Sequence, residues 1–249
     1  MINSQLHTLR VDGNTLSYMT CGDPAAPPLV LIHGWLGARA DWRLLLPELS
    51  RTHYCLTVDL LGHGDSDKPR GGDYGIPAQA HRVLAIADAA GLTQFALCGH
   101  SMGGMIGLTL AAAVAPERII RMANLSGVVN VQSLVLKSTA WLAPRAEFLV
   151  DWGFALARKI APFKWGARIL GSQLFYRHHP PEFRTINLPY AIQPGIEVPF
   201  YKALEAILVM DLTPLLPNIA CPVLTIFGKQ DRLVPPGQGK LVDARLSHH

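Results

Sequence analysis

The chain has 249 residues, of which 49% are hydrophobic and 16% are charged, with a formal net charge of +4 and an isoelectric point near 9.0. This composition is typical of a globular chain that buries one large core. No cluster of Lys and Arg supports a nucleic-acid partner, and no uncharged apolar run is long enough for a membrane span. The first residues lack the pattern of a secretory signal, so we expect a cytoplasmic protein.

The four cysteines, Cys21, Cys55, Cys98 and Cys221, form no CxxC pair and no cluster with histidine. We expect reduced thiols, which suit the cytoplasm, rather than a disulfide or metal framework. The segment GHGDS (62–66) is rich in glycine but leads from a predicted strand into a loop, which favours a turn over a phosphate-binding loop. The sequence therefore predicts no metal site and no cofactor.

Short apolar runs alternate with longer helical stretches, which is the pattern of a mostly parallel sheet with helices on both faces. The predicted fold class is therefore α/β. An opening hairpin is predicted around Asp12-Gly13-Asn14. Further strands are predicted at 28–34, 54–60, 95–99, 119–126 and 221–228, and helices at 41–50, at 78–91 with Gly91 as its C-cap, from 102 to about 115, and over 237–247.

Residues 131–212 depart from this alternation, with helical segments, prolines and nine Lys or Arg against six Asp or Glu. We expect 1–130 and 213–249 to form the core and 131–212 to form a helical cap over the sheet. The apolar content predicts a largely apolar pocket between cap and sheet. Each aromatic residue in the cap is more simply explained by packing, and the surplus charge by a solvated face. These aromatic residues are Trp141, Phe148, Trp152, Phe154, Phe163, Trp165, Phe175 and Tyr176.

The segment GHSMG (99–103) fits the pattern G-x-S-x-G between a predicted strand and a predicted helix. In that context Ser101 must adopt a sparsely populated backbone conformation that lifts its hydroxyl above the sheet edge. A side chain at Gly99 or Gly103 would collide where strand and helix pass closely, and Gly104 lets the helix pack tightly. The structural alternative is a glycine-rich turn with an incidental serine. The pattern favours a nucleophile at the edge where parallel sheets bind ligands.

A serine nucleophile needs a base for its proton and donors for the negative oxygen that it generates. The segment HGW (33–35) directly follows a predicted strand and supplies one donor. We assign the oxyanion hole to the backbone N–H groups of Trp35 and Met102. His33 and Gly34 support this loop, where His33 is a loop organiser or, in nearly the same sense, a structural histidine.

Four segments resemble motifs of the α/β-hydrolase superfamily, in that order and with suitable separations: LVLIHGWLG, VDLLGHGDSDKP, LCGHSMGG and FGKQDRLVP. The likeness covers essentially the whole chain, with 131–212 in the place of the family's variable cap. It implies an α/β-hydrolase fold and acyl transfer through a Ser–His–Asp triad, with Ser101 as nucleophile and Asp231 as acid. Because residue 101 is Ser and not Asp, haloalkane dehalogenase and epoxide hydrolase activities are disfavoured.

Two alternatives to this acid remain. Asp231 could be a surface turn residue, since Lys-Gln-Asp-Arg suits a turn. Asp59 ends a different strand and is the other candidate carboxylate. We rank it lower, because the superfamily pattern makes that position structural.

The catalytic histidine has no clear counterpart in the sequence. In the superfamily the order is Ser, Asp, His, and a count of the intervening loop, helix and strand places the base about 27 residues after Asp231. His248 lies only 17 residues after it. We therefore expect His248 and His249 to be exposed terminal residues, and the base and the last strand to be absent, which would leave weak turnover.

Two other histidine assignments were weighed against this expectation. A terminal segment that folds back could bring His248 or His249 to the site as the base. His100 adjoins the nucleophile, but adjacent side chains diverge in a tight turn, which disfavours it as the base.

The sequence predicts a hydrolase that cleaves a small or medium carboxylic ester. The SMGG segment also resembles C–C bond hydrolases and the menaquinone-pathway lyase, so a ketone or enolate substrate is an alternative. A second alternative is a non-catalytic binding protein of hydrolase fold. The expected loss of the base supports that alternative, whereas the intact GHSMGG and HGW segments argue against it. The expected partner is a small-molecule ester or ketone, and the sequence leaves the oligomeric state open.

Overall fold

Seven strands form one sheet in the computed structural model, which describes residues 3–131, 147–171 and 182–246. Neighbouring strands from β3 to β7 are parallel, whereas β1 and β2 pair antiparallel. Helices lie on both faces, so the predicted α/β class with a mostly parallel sheet is confirmed. The strands are β1 (Ser4–Val11), β2 (Asn14–Cys21), β3 (Pro28–Ile32), β4 (Tyr54–Val58), β5 (Phe95–His100), β6 (Ile119–Leu125) and β7 (Val223–Ile226).

The order of the strands across the sheet is β1-β2-β4-β3-β5-β6-β7. The central strand β3 is buried on both faces, which explains its unbroken apolar sequence. Strand β7 lies at one edge, where Leu224 and Ile226 are exposed. Because β3, β5, β6 and β7 run parallel, the loops that follow them emerge along the same edge of the sheet.

The hairpin between β1 and β2 turns through Asp12 and Gly13, whose φ angles are 51° and 76°. Val11 pairs directly with Asn14 across this turn. Two successive residues with positive φ form a type I′ turn, which Asp-Gly favours and which matches the twist of the strands. The predicted hairpin is therefore present at the predicted position.

The helices pack the apolar residues of the sheet into two clusters. On one face α2 and α3 cover β3, β4 and β5, and on the other face Trp42 and Leu46 cover Leu29 and Leu31. The α-helices of the described residues are α1 (Leu46–Leu49), α2 (Ile76–Ala89), α3 (Met102–Thr109), α4 (Glu147–Ile160), α5 (Lys164–Gly171), α6 (Leu188–Ala191), α7 (Glu197–Val209) and α8 (Gly237–Asp243).

Two helix predictions need correction. The stretch 41–50 is not one helix, because Arg39–Leu44 forms a 3₁₀ helix and α1 starts separately at Leu46. Pro47 cannot donate an i→i−4 hydrogen bond and is tolerated only in the first turn of a helix. The last helix is also shorter than predicted. It ends at Asp243, since Arg245 closes a tighter turn by donating its N–H to the Val242 carbonyl.

The other helix boundaries agree with the sequence. Gly91 has a φ of 72°, and its N–H donates to the Asp88 carbonyl beyond the end of α2, as a glycine C-cap should. After α3 the chain continues as a π-helical turn (Leu110–Val114) up to Ala115. The alanine-rich stretch is therefore helical over its predicted length.

The described residues of 147–171 and 182–212 contain helices and no strand. Trp141, Phe175 and Tyr176 lie outside the described residues. Two hydrogen bonds join this helical region to the loops at the sheet edge. Asn187 Nδ2 donates to Asp41 Oδ1 at 2.5 Å, and Gln193 Nε2 donates to the Gly64 carbonyl at 2.8 Å. Asn187 and Gln193 therefore contact loops at the carboxyl edge of the sheet, and a cap formed by the whole of 131–212 stays a prediction.

Gln238 in α8 joins two distant parts of the chain. Its Oε1 accepts the N–H groups of Val129 at 2.8 Å and Asn130 at 3.1 Å. Both amides lie just after β6, where the chain leaves the sheet. One side-chain oxygen thus satisfies two backbone donors that regular structure leaves unpaired.

Cys21, Cys55, Cys98 and Cys221 all carry free thiols, and the first two are buried. Burial raises the pKa of the Cys55 thiol to about 12 and that of Cys98 to about 11. In the described ranges, no helix combines the length and the apolar character that crossing a bilayer requires.

The type I′ turn predicts a specific cost for Gly13→Ala. We expect the free energy of unfolding, measured by urea denaturation, to fall by about 1 kcal/mol, because alanine is strained at positive φ. A Cβ atom at position 13 would meet no other atom within 4 Å, so a clash is not the cause. Gly71→Ala is the matched control, since it is equally open and its φ is not left-handed. Equal losses in the two variants would contradict the turn assignment.

Candidate active site

Ser101 connects β5 to α3 with a φ of 54° and a ψ of −117°. This combination lies outside the regions that L-residues normally occupy and is strained by roughly 1–3 kcal/mol. The backbone is held there from both sides. The Ser101 N–H donates to the Leu125 carbonyl at 2.9 Å, and the Ser101 carbonyl accepts the Gly104 N–H at 2.9 Å. The side chain is half-buried rather than sealed in the core.

Glycines around Ser101 allow backbone to approach backbone. A Cβ atom at Gly99 would collide with the carbonyl of Gly103, and one at Gly103 would collide with the carbonyl oxygens of Ile32 and His33. A Cβ atom at Gly104 would lie 2.6 Å from the Gly127 Cα atom. The strand, the turn and the helix can therefore pack at this spacing only while these positions have no side chain.

The loop after β3 lies beside the serine. A Cβ atom at Gly34 would lie 3.1 Å from Ser101 Cβ. His33 is fully buried in the loop, where its Nε2 accepts the Leu60 N–H at 3.1 Å. Its Nδ1 therefore carries the proton and donates to the Gly34 carbonyl at 2.7 Å. This neutral ring joins the loop after β3 to the loop after β4, which matches a loop organiser.

Residues 34–37 form a tight turn in which the Gly37 N–H donates to the Gly34 carbonyl at 3.0 Å. Leu36 has a φ of 60° at the third position, which gives a type II turn. Among the described residues, no group accepts the backbone N–H of Trp35. The Met102 N–H lies in the first turn of α3, where no intrahelical acceptor exists. Two free amides therefore flank the serine.

The side chain of Trp35 points towards the helical region. Its Nε1 donates to the Phe200 carbonyl at 3.0 Å, and its ring lies 4.8 Å from the ring of Phe200. The ring of Phe154 in α4 packs edge-on against the ring of Phe200, with the ring centroids 5.1 Å apart. Three aromatic rings thus connect the loop after β3 to α7 and α4.

Asp231 lies on the loop after β7, at the same edge of the sheet. Its Oδ1 accepts the N–H groups of Leu233 at 3.0 Å and Val234 at 2.9 Å, and its own N–H donates to the Gly228 carbonyl at 3.1 Å. The residue is therefore a turn former as well as a carboxylate near the serine loop. Because the turn uses one oxygen, the orientation of the second is fixed.

Asp59, the other carboxylate candidate, is fully buried. It accepts the backbone N–H groups of Arg39 at 2.7 Å and Asp65 at 3.1 Å and forms an ion pair with the Arg39 guanidinium. Arg39 also pairs with Asp65 at 2.5 Å. A carboxylate that accepts three hydrogen bonds from neighbouring loops holds those loops together.

His100 also lies at this edge. Its Nδ1 would be 3.2 Å from a Cβ atom at Gly34, and its side chain is reachable by solvent although protein surrounds most of it. Burial lowers the pKa of His100, the carboxylates of Asp41 and Asp231 oppose this change, and His33 adds to it. His100, which the sequence disfavours as the base, and Asp41, which no sequence motif singles out, are thus neighbours of the site.

Sequence reasoning had no signal for Leu36, because a type II turn normally has glycine at the position with positive φ. The motif did indicate His100, but the direction of its side chain depends on the path of the loop after β3. His248 and His249 lie outside the described residues.

The predicted apolar pocket against the sheet stays a prediction. A cavity of about 350 Å³ lies instead among the helices, lined by residues such as Ala161, Leu188 and Ile192.

His63 packs beside His33, with ring centroids 5.3 Å apart. Its Nδ1 donates to the Leu61 carbonyl at 3.2 Å, and its Nε2 has no hydrogen-bond partner within the described part of the chain. The pKa of His63 is lowered to about 3, mainly by burial and less by His33 and Lys68, while the hydrogen bond to Leu61 opposes this change. The loops beside the serine are therefore held by a neutral pair of rings.

Comparisons with known proteins identify the fold of the chain. A family model described as alpha/beta hydrolase fold matches residues 27–249. The chain is 32% identical to the pimeloyl-[acyl-carrier protein] methyl ester esterase of Edwardsiella ictaluri, over 93% of this chain and 85% of that protein. It is 27% identical to 3-oxoadipate enol-lactonase 2 of Acinetobacter baylyi, over 97% and 85%. The structure of the enol-lactonase from Burkholderia xenovorans superposes with a TM-score of 0.78 at 27% identity, covering 97% of this chain and 88% of that one.

The neutral His63 predicts a loss of stability in acid. An unfolded histidine binds a proton near pH 6.5, whereas folded His63 resists protonation down to about pH 3. The unfolded chain therefore binds one more proton between these values, and the free energy of unfolding should fall by roughly 1 kcal/mol per pH unit from pH 6 to pH 4. Urea denaturation across this range should give a shallower slope for His63→Gln. The control His53→Gln should keep the wild-type slope, and identical slopes in all three proteins would refute the prediction.

Proposed function

The chain belongs to the α/β-hydrolase fold family, and from this premise we propose that it is a serine hydrolase that cleaves a small or medium carboxylic ester. The observation that carries the proposal is the strained backbone of Ser101 directly beside the loop after β3. Strain of this kind persists only where surrounding structure enforces it, and it clusters at reacting groups. A purely structural turn gains nothing from it.

In the proposed first step Ser101 Oγ attacks the ester carbonyl carbon while its proton passes to a base. The carbonyl oxygen becomes an oxyanion, which accepts hydrogen bonds from the backbone N–H groups of Trp35 and Met102. These amides are already free and are fixed by the type II turn and by the start of α3, so they need no rearrangement when charge develops. His33 and Gly34 support the position of the Trp35 amide, as Gly99 and Gly103 support that of Ser101.

The ester oxygen then leaves with a proton as an alcohol, and the acyl group stays on Ser101. Water attacks this acyl-enzyme in the second half of the reaction, releases the carboxylic acid and restores the serine. The same two amides accept the second oxyanion. Each half therefore uses one nucleophile, one proton acceptor and one pair of donors.

Asp231 is proposed as the acid that orients the base. Leu233 and Val234 hold one carboxylate oxygen, so the other can accept a hydrogen bond from an imidazole N–H without rotating. We assign no described histidine as the base. His33 and His63 are bonded to backbone carbonyls, and His100, which directly precedes the nucleophile, is disfavoured by its position in the sequence.

We favour an ester as the substrate because two similar proteins are named for acting on an enol-lactone and a methyl ester. An enol-lactone and a methyl ester both contain a carbonyl carbon bonded to a leaving oxygen. The aromatic rings of Trp35, Phe200 and Phe154 beside the loop after β3 suit an acyl chain of modest size. A vinylogous diketone, the substrate type of C–C bond hydrolases, provides the opposing assay.

Ser101→Ala should abolish ester hydrolysis. We expect kcat/KM for p-nitrophenyl acetate and butyrate to fall at least 10³-fold, because the nucleophile is lost while the donors remain. Ser126→Ala is the matched control, since Ser126 also follows a parallel strand, is half-buried and has a φ of 47°. That variant should keep its activity within about threefold. Cleavage of the vinylogous diketone but not of the esters, or equal loss in both variants, would overturn the ester proposal.

Substitution of each candidate carboxylate by asparagine separates a role in catalysis from a role in stability. Asp231→Asn keeps the turn acceptor but removes the charge, so kcat should fall about 10²–10⁴-fold with little change in thermal stability. Asp59→Asn leaves Arg39 without its buried partner and should lower the free energy of unfolding by about 3 kcal/mol. Its kcat per folded molecule should stay within a few-fold of wild type. The reverse pattern, measured by steady-state kinetics and urea denaturation, would move the catalytic role to Asp59.

A further inference from the structure

The two helices α4 and α5 expose an unusual number of large apolar side chains. Phe148 is 70% exposed and Trp152 is 66% exposed, although rings of this size normally lie in a core. Contiguous apolar surface on a folded chain usually marks a binding site. We name this surface the aromatic face, and it consists of Phe148, Leu149, Trp152, Leu156, Phe163 and Trp165.

The spacing shows that α4 is apolar on two sides. Phe148, Trp152 and Leu156 recur every four residues, so they form a stripe along one side of the helix. Phe154 and Ala157 are buried on the opposite side, where Phe154 packs on Phe200. In the described part of the chain, the packing of α4 uses this second side. The outer stripe therefore has a different purpose from packing within the described structure.

Cations accompany the aromatic face. Lys159 lies seven residues after Trp152 and extends the same stripe, while Lys164 and Arg168 are one turn apart on the exposed side of α5. Arg168 also follows Trp165 by three residues, so charge and ring share one side of that helix. Aromatic rings flanked by Lys and Arg are typical of helices that lie in the plane of a membrane surface.

The two helices contain two acidic residues, Glu147 and Asp151. Glu147 accepts the Tyr201 hydroxyl at 2.8 Å and pairs with Arg70 at 3.4 Å. Arg158 is not part of the surface, because it pairs with Glu197 at 2.5 Å. Three cations against one carboxylate leave the aromatic face positive.

We propose that the aromatic face docks the protein on a membrane surface that contains anionic phospholipid. The rings enter the boundary between headgroups and acyl chains, and Lys159, Lys164 and Arg168 lie against the lipid phosphates. This mode of binding needs no membrane-spanning helix. A second copy of the chain fits this surface poorly, because a symmetric contact would bring the same cations together.

Docking would place the candidate site close to the lipid. The inner side of α4 reaches the loop after β3 through Phe154, Phe200 and Trp35. The membrane proposal itself does not depend on ester hydrolysis, since it rests on exposure and charge outside the site.

Sedimentation with vesicles tests the proposal on the full chain. We expect vesicles of phosphatidylglycerol and phosphatidylcholine to bind the protein at least tenfold more strongly than vesicles of phosphatidylcholine alone. Binding should weaken as salt screens the charges. Absence of binding to both vesicle types would overturn the proposal.

Two double variants separate the apolar and the charged contributions. Phe148→Ser with Trp152→Ser should reduce binding to the anionic vesicles at least tenfold, because it removes the rings that enter the bilayer. Lys164→Glu with Arg168→Glu should reduce the same binding at least tenfold while leaving the rings in place. Circular dichroism and thermal melts establish that both variants fold. If Phe148→Ser with Trp152→Ser does not fold, Lys164→Glu with Arg168→Glu still tests the proposal.

Matched controls carry the same changes elsewhere. Leu6→Ser with Leu44→Ser removes two exposed apolar side chains that lie outside the aromatic face. Lys240→Glu with Arg245→Glu reverses two exposed charges at or just after α8. Both controls should bind vesicles like wild type, and an equal loss in the controls would overturn the proposal. So would concentration-dependent dimerisation that Phe148→Ser with Trp152→Ser abolishes, measured by light scattering, if vesicles bind no wild-type protein.

Discussion

The close approach of β3, β5 and α3 is the constraint on which the rest of the site depends. The carbonyls of Ile32 and His33 occupy the space where a side chain at Gly103 would lie, and the Gly103 carbonyl does the same for Gly99. With those positions bare, the chain must turn at Ser101 in a conformation that it would otherwise avoid. The position and the strain of Ser101 therefore have a common steric origin, and the same packing brings Gly34 of the loop after β3 beside the serine.

The loops near Ser101 are held by two kinds of polar interaction, ion pairs and hydrogen bonds to neutral histidine rings. Arg39 connects the buried Asp59 to the exposed Asp65, and this network fixes the loops after β3 and β4, while His33 and His63 contribute as neutral rings. Buried ions are tolerable only with full sets of partners. The loops are thus immobilised at one distance from the serine, and the electrostatic field at the serine is left to the backbone amides and to Asp231.

The sequence predicts features that depend on local or periodic patterns. The hairpin at Asp12–Gly13, the alternation that gives a parallel sheet, and the elbow at Ser101 all follow from residue type and spacing. It does not predict the break before α1, where Pro47 interrupts an amphipathic pattern, or the positive φ of Leu36, which tertiary contacts impose against its preference. The neighbourhood of His100 and Asp41 depends on how two loops cross, and one-dimensional spacing has no information about that.

Gln238 links the chain just before the inserted region to the helix that follows Asp231. Its amide oxygen holds the chain as it leaves β6, and its helix begins six residues after Asp231. A change in the angle at which the chain departs towards the helical region is therefore transmitted through a single side chain to the segment that carries the carboxylate.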